Sequence, residues 1–187
     1  MLKSEPVTSF LTLALLVCVM VACEESASRD KTITLKSPDG KFQLTVPDGW
    51  TSEDRVESDE VMKVVNKSAG IVVSIAFENK VDLADGLTLD KYADLGRNQL
   101  LKKGVANDAT MPKPLTVNGS AALQYEAKVT RDNAKYIDLV TTIDAPERFY
   151  RINAVVPPSE YEKHPAVIKD VSSSFRAVSD SNNSSSH

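Results

Sequence analysis

The sequence predicts an α+β fold, an antiparallel sheet flanked by helices. Three observations carry it. Apolar and polar residues alternate along most of the chain, one stretch (88–104) switches to helical spacing, and a proline-interrupted helical pattern closes the domain.

Ile33 and Leu35 alternate with polar residues as a first strand, and Ser37-Pro38-Asp39-Gly40 makes a turn. Phe42, Leu44 and Val46 then alternate strictly, placing all three on one face of a strand. Pro47-Asp48-Gly49-Trp50 ends that strand, since proline presets one turn dihedral and glycine accepts a positive φ. Val61–Val65 and Ile71–Phe77 form two apolar runs, and Asn66-Lys67-Ser68-Ala69-Gly70 joins them as a hairpin.

Leu89, Tyr92, Ala93, Gly96 and Leu100 recur at helical spacing. Thr88 is the predicted N-cap, Asp90 falls in the first turn, Lys102 and Lys103 in the last, and Gly104 lies just beyond. Pro112-Lys113-Pro114 reads as a stiff connector, and Asn118-Gly119 as a type I′ hairpin turn. Strands follow at 121–129, 136–143 and 149–156, separated by turns at Asp132-Asn133 and Asp144-Ala145-Pro146, so they form an antiparallel meander. Ser159 and Glu162 have the spacing of a capping box, Pro165 kinks or restarts the helix, and Ile168, Val171 and Phe175 form its apolar stripe.

The first residues read as a lipoprotein signal peptide. Lys3 supplies a positive charge, a run of about a dozen mostly apolar residues spans Phe10 to Val21, and small Ala22 precedes Cys23. That run falls short of the ~20 residues needed to span a bilayer. The reading divides the chain into a signal peptide (1–22), a lipidated Cys23 with a polar tether to residue 31, a domain (32–178) and a polar tail (179–187) expected to be disordered. The lipobox resemblance implies a diacylglyceryl thioether on Cys23 and an acylated amine, and two or more chains anchor stably. Met20 stands where leucine is usual, and Glu5 offsets Lys3; the competing reading is a secreted protein cut near Ala22. Glu24 after the cysteine resembles the sorting signal for the outer membrane.

A net charge of −4 with scattered cations excludes a nucleic-acid partner, which needs a basic stripe, and a polybasic grip on anionic lipid. The only cysteines are Cys18, inside the leader, and Cys23, so the domain has neither a disulfide nor a thiolate metal site. No cofactor is implied. His164, the only histidine of the domain, sits before Pro165 with no nucleophile or orienting acid in a recognised motif, and reads as a solvated residue on the surface of the last helix. Glu53, Asp54, Glu57, Asp59 and Glu60 lack calcium-loop spacing and are interrupted by Arg55, so they read as a solvated loop. Trp50 reads first as a core plug; the alternative makes it the floor of a binding groove with Tyr92 or Tyr125 opposite.

Phe42–Trp50, Leu89-Asp90-Lys91-Tyr92-Ala93, Val117-Asn118-Gly119 and Ser174-Phe175-Arg176 together resemble the PsbP-like fold, the α/β/α sandwich of PsbP proteins and DcrB-type lipoproteins, over residues 37–177. The resemblance implies a non-enzymatic accessory or assembly role beside membrane complexes. The expectation is therefore a lipid-anchored periplasmic domain that binds a protein partner or supports assembly of an envelope complex. The alternative is a small-molecule or lipid-binding domain using a pocket between the sheet and the Leu89 helix, with a hydrolase third.

Overall fold

A computed structural model describes residues 31–54 and 59–178. The expected signal peptide, Cys23 with its expected tether through residue 30, Glu57 and the expected polar tail lie outside the described residues.

The expected alternation builds a large antiparallel sheet. β2 (Phe42–Pro47) instead joins β1 (Thr32–Lys36) and the short β11 (Arg176–Ala177) in a small sheet ordered β1-β2-β11. The large sheet comprises β3 (Thr51–Ser52), β4 (Glu60–Asn66), β5 (Ile71–Asn79), β6 (Ala106–Ala109), β7 (Lys113–Val117), β8 (Ser120–Arg131), β9 (Ala134–Asp144) and β10 (Arg148–Val156). Its order is β3-β4-β5-β10-β9-β8-β6, with β7 also on β8. The predicted meander is the β8-β9-β10 run. Asn118 (φ 47°) and Gly119 (φ 85°) turn the chain into β8, and Asp132 (φ 50°) and Asn133 (φ 64°) turn it into β9.

α1 (Leu89–Lys102) starts where predicted, with the Thr88 hydroxyl accepting from the Lys91 backbone N–H. The end of the domain departs from prediction. α2 (Pro158–Lys163) begins one residue before Ser159, because Pro158 takes the first helical position, where its missing N–H costs nothing. Ser159 is thus inside the helix, and no side chain makes the expected capping-box bond. Pro165 restarts the chain as α3 (Pro165–Ser173), and Phe175 packs into the core from beyond the helix end.

Two edges also differ. The expected Pro112–Pro114 connector becomes β7, which pairs only with β8; an edge strand tolerates Pro114 because one side of its backbone needs no ladder partner. β6 went unpredicted because Ala-Asn-Asp-Ala has little strand propensity; burial of Ala106 and Ala109 beside β8 stabilises it.

The two faces of the large sheet are covered unequally. On the first, Val64, Val73, Ile75, Ile152 and Val156 pack with Phe42, Leu44 and Val46 of β2 and with Ile168 and Val171 of α3 in one apolar cluster. Trp50, 3% exposed, belongs to it. On the second, α1 lies mainly over β6, β8 and β9, above a smaller cluster around Tyr125, Ala127, Val129 and Val140, and reaches β10 through Tyr92 on Phe149. The central strands β5 and β10 extend past the helix, and a trough opens there.

Candidate functional site

Alternation along β10 sends Tyr150, Ile152, Ala154 and Val156 into the first face and turns Arg151 and Asn153 toward α1. Register then aligns Ser74 of β5, Asn153 of β10, Val140 of β9 and Tyr125 of β8 in one row across the sheet. Gly96, Gln99 and Leu100 of α1, with Lys103 just past its end, form the opposite wall, and Asp59, Glu60, Arg131, Asp138 and Arg151 complete a cleft of about 260 Å³. Gly96, Gln99, Tyr125 and Arg151 are shared with a further cavity of about 190 Å³ lined by Leu83, Leu87, Leu95 and Tyr92. The two make one trough along α1, polar at one end and apolar-lipped at the other.

Its charges are largely neutralised in place. Asp138 is fully buried and held by both Arg131 guanidinium nitrogens, at 3.0 and 2.5 Å. Such bidentate pairing is the geometry that tolerates a buried carboxylate. The Arg151 guanidinium lies 3.6 Å from Asp59. Burial pushes the Tyr125 hydroxyl up to about 12, with Arg151 opposing, Asp138 adding to the rise and Arg97 opposing again. Tyr92 is raised further, first by burial and then by the Glu78 carboxylate that accepts its hydrogen bond. Both phenols stay neutral at physiological pH and act as hydrogen-bonding groups. Tyr92 is also fixed by stacking on Phe149, with centroids 4.5 Å apart.

One polar atom in the trough is unsatisfied. Asn153 Oδ1 is buried and has no hydrogen-bond partner among the described residues. The sequence drew no attention to Asn153, Asp138 or Arg131. The available signal was polar residues interrupting apolar strands, at Ile137-Asp138-Leu139 and Ile152-Asn153-Ala154.

The structure separates the three predicted aromatic residues. Tyr92 and Tyr125 line the trough, but Trp50 belongs to the apolar cluster on the other face, so the three share no groove. His164 is exposed at the joint between α2 and α3, where its backbone N–H bonds to the Glu160 carbonyl, rather than on a helix surface. The acidic run is divided among cations: Glu53 pairs with Lys63 at 3.6 Å and Asp59 with Arg151. Among the described residues no group of three or more His, Cys, Asp or Glu side chains is placed to hold a metal. A second groove, open to solvent beside Asn118, Ala145 and Pro146, has the packed rings of Tyr150 and Phe175 as its floor.

No protein-family model and no curated protein sequence matches the chain. Solved structures do. The cyanobacterial PsbP (CyanoP) of Synechocystis sp. PCC 6803 is 13% identical with a TM-score of 0.53, over 82% of this chain and 96% of that one. LpqN, described as involved in cell envelope biogenesis of Mycobacterium tuberculosis, is 12% identical with a TM-score of 0.59, over 80% and 91%. At such identities the likeness is one of fold: the domain has the PsbP-like α+β architecture.

Proposed function

We propose that this chain is a non-catalytic binding domain of the cell envelope, held at a membrane by lipid on Cys23 and binding through the trough beside α1. The observation that carries the reading is the buried, unpartnered Asn153 Oδ1 in a row with Ser74 and Tyr125. Leaving a buried acceptor unpaired costs ~1–3 kcal/mol, and a ligand donor offsets that cost. Convergent polar groups in a cleft are the general pattern of a binding site. The envelope setting is supported by the lipobox around Cys23 and by the fold shared with LpqN. A hydrolase finds little support, since the residues lining the trough include neither histidine nor cysteine.

A protein partner is the second reading, and the apolar end of the trough favours it. Leu95 is 52% exposed beside half-buried Leu83 and Leu87, and Val81 is 86% exposed nearby in sequence. Tyrosine and arginine, the types at Tyr92, Tyr125 and Arg151, often anchor interfaces. A membrane tether raises the effective concentration of any neighbour in the same bilayer.

Photocrosslinking in intact cells tests both readings, with the reactive residue at Leu95 and a control at Lys36 on the small sheet. A discrete protein adduct from Leu95 but not Lys36 supports the partner. Asn153→Ala that folds normally yet fails to complement a deletion, with no protein adduct, supports a small ligand. If Asn153→Ala complements fully and Leu95 captures nothing, the trough is not the site. Cys23→Ser tests the anchor separately: acyl labelling is expected to vanish, and persistent labelling would overturn lipidation at Cys23.

A further inference from the structure

We infer that the polar end of the trough recognises an uncharged polyhydroxylated ligand, a saccharide. This deepens, and rests on, the reading of the trough as the binding site.

Among the described lining residues, three cations (Lys103, Arg131, Arg151) balance three carboxylates (Asp59, Glu60, Asp138) in formal charge. Arg131 is committed to Asp138 and Arg151 lies against Asp59. Glu60 also has a partner. An ionic ligand would have to compete with these pairs, and drawing Arg131 away would strand a carboxylate that is fully buried. The described charges of the lining are thus mostly engaged with one another, and Lys103, exposed, is the one cation among them outside an ion pair.

What remains, apart from the exposed ammonium of Lys103, is neutral. No hydrogen bond among the described residues engages the side chains of Ser74, Gln99 or Asn153, or the Tyr125 hydroxyl. Each of these groups both donates and accepts. The raised pKa of Tyr125 keeps its proton available for donation throughout the physiological range. A ligand that answers them carries donors and acceptors together, as each sugar hydroxyl does. Asn153 Oδ1 specifically requires a donor from the ligand.

Apolar complementarity points the same way. Ala76, Leu100 and Val140 stand among the polar groups, which suits a ring with a hydroxyl rim and C–H faces. The cleft, about 260 Å³, falls just below the ~300–1,000 Å³ typical of ligand pockets, which limits it to a small ring. The continuation past Gly96 toward Tyr92 leaves room for a substituent along α1.

The test is amide-resolved NMR titration of the purified chain in a detergent without a sugar headgroup. The probes are glucose and N-acetylglucosamine, with glucosamine and glucuronate as charged counterparts, each at millimolar concentration. The expected result is that a neutral sugar shifts Ser74, Gln99, Tyr125 and the Asn153 side-chain amide, and binds more tightly than its charged counterparts. Asn153→Ala is expected to weaken binding about tenfold, the worth of one such hydrogen bond, while leaving the melting temperature unchanged or higher. Ser74→Ala provides a second variant should Asn153→Ala fold poorly. The inference is overturned if no sugar moves these resonances, if a charged counterpart binds best, or if the shifts fall outside the trough. A protein adduct from Leu95 with no sugar response would retain the trough as a binding site while rejecting the saccharide.

Discussion

The two faces of the large sheet are made from the same strands, yet one is a finished core and the other an incomplete one. Alternate residues of β10 illustrate the contrast: Ile152, Ala154 and Val156 are fully buried among apolar partners, whereas Arg151 and Asn153 line the trough. The first face is closed by β2 and α3, elements far apart in sequence that bring Leu44, Val46, Ile168 and Val171 over the central strands. The second has a single helix lying toward one side. Covering a sheet face with apolar side chains yields stability; leaving half of it polar and open forgoes stability and creates a place to bind.

The largest expected effect falls on the first face. Trp50→Ala should destabilise the fold by ~3–5 kcal/mol, a large fraction of a domain's stability, because it removes a buried indole from the apolar cluster. Denaturant unfolding is the check, and a loss below ~1 kcal/mol would move Trp50 out of the core. Next is the ion pair on the second face. Arg131→Ala should cost up to ~3 kcal/mol by stranding the fully buried Asp138 carboxylate. The replacement pair Arg131→Met with Asp138→Leu should recover much of that loss, and failure to recover would mean the pair organises the trough by more than charge.

Alkaline pH probes buried tyrosines on both faces, since Tyr161 against the first is raised as well, and a Tyr125 variant isolates the trough. The folded Tyr125 pKa is raised from 10.0 to about 12, so the unfolded chain loses this proton first. Its stabilising contribution is fully present below pH 10 and is lost as pH rises through about 12. Tyr92 is shifted in the same direction, again chiefly by burial. Stability should therefore fall across that window, and Tyr125→Phe should flatten the fall. An unchanged profile for the variant would place the alkaline sensitivity elsewhere. The smallest effect is expected at Gly96, whose added Cβ would lie 3.6 Å from the Tyr125 hydroxyl oxygen, an ordinary contact. Gly96→Ala should stabilise α1 by up to ~1 kcal/mol while narrowing the trough. Gained stability with weakened ligand binding is the expected signature, and destabilisation would show that the wall cannot accept a methyl group.

The sequence by itself determined the α+β class, the hairpin at Asn118-Gly119, the Thr88 start of α1 and the burial of Phe42, Leu44 and Val46, because alternation, caps and turn residues are local rules. Only the tertiary structure decided that β2 leaves the large sheet for a second one, that Ala106–Ala109 is a strand, and that Trp50 lies on the opposite face from Tyr92 and Tyr125. The trough, too, belongs to the tertiary level. Each of Ser74, Tyr125 and Asn153 is an ordinary strand residue in sequence, and they meet only because antiparallel register across β5, β10, β9 and β8 aligns positions up to 79 residues apart. Periodicity fixes which face a side chain takes, but pairing between distant strands fixes which neighbours it has there.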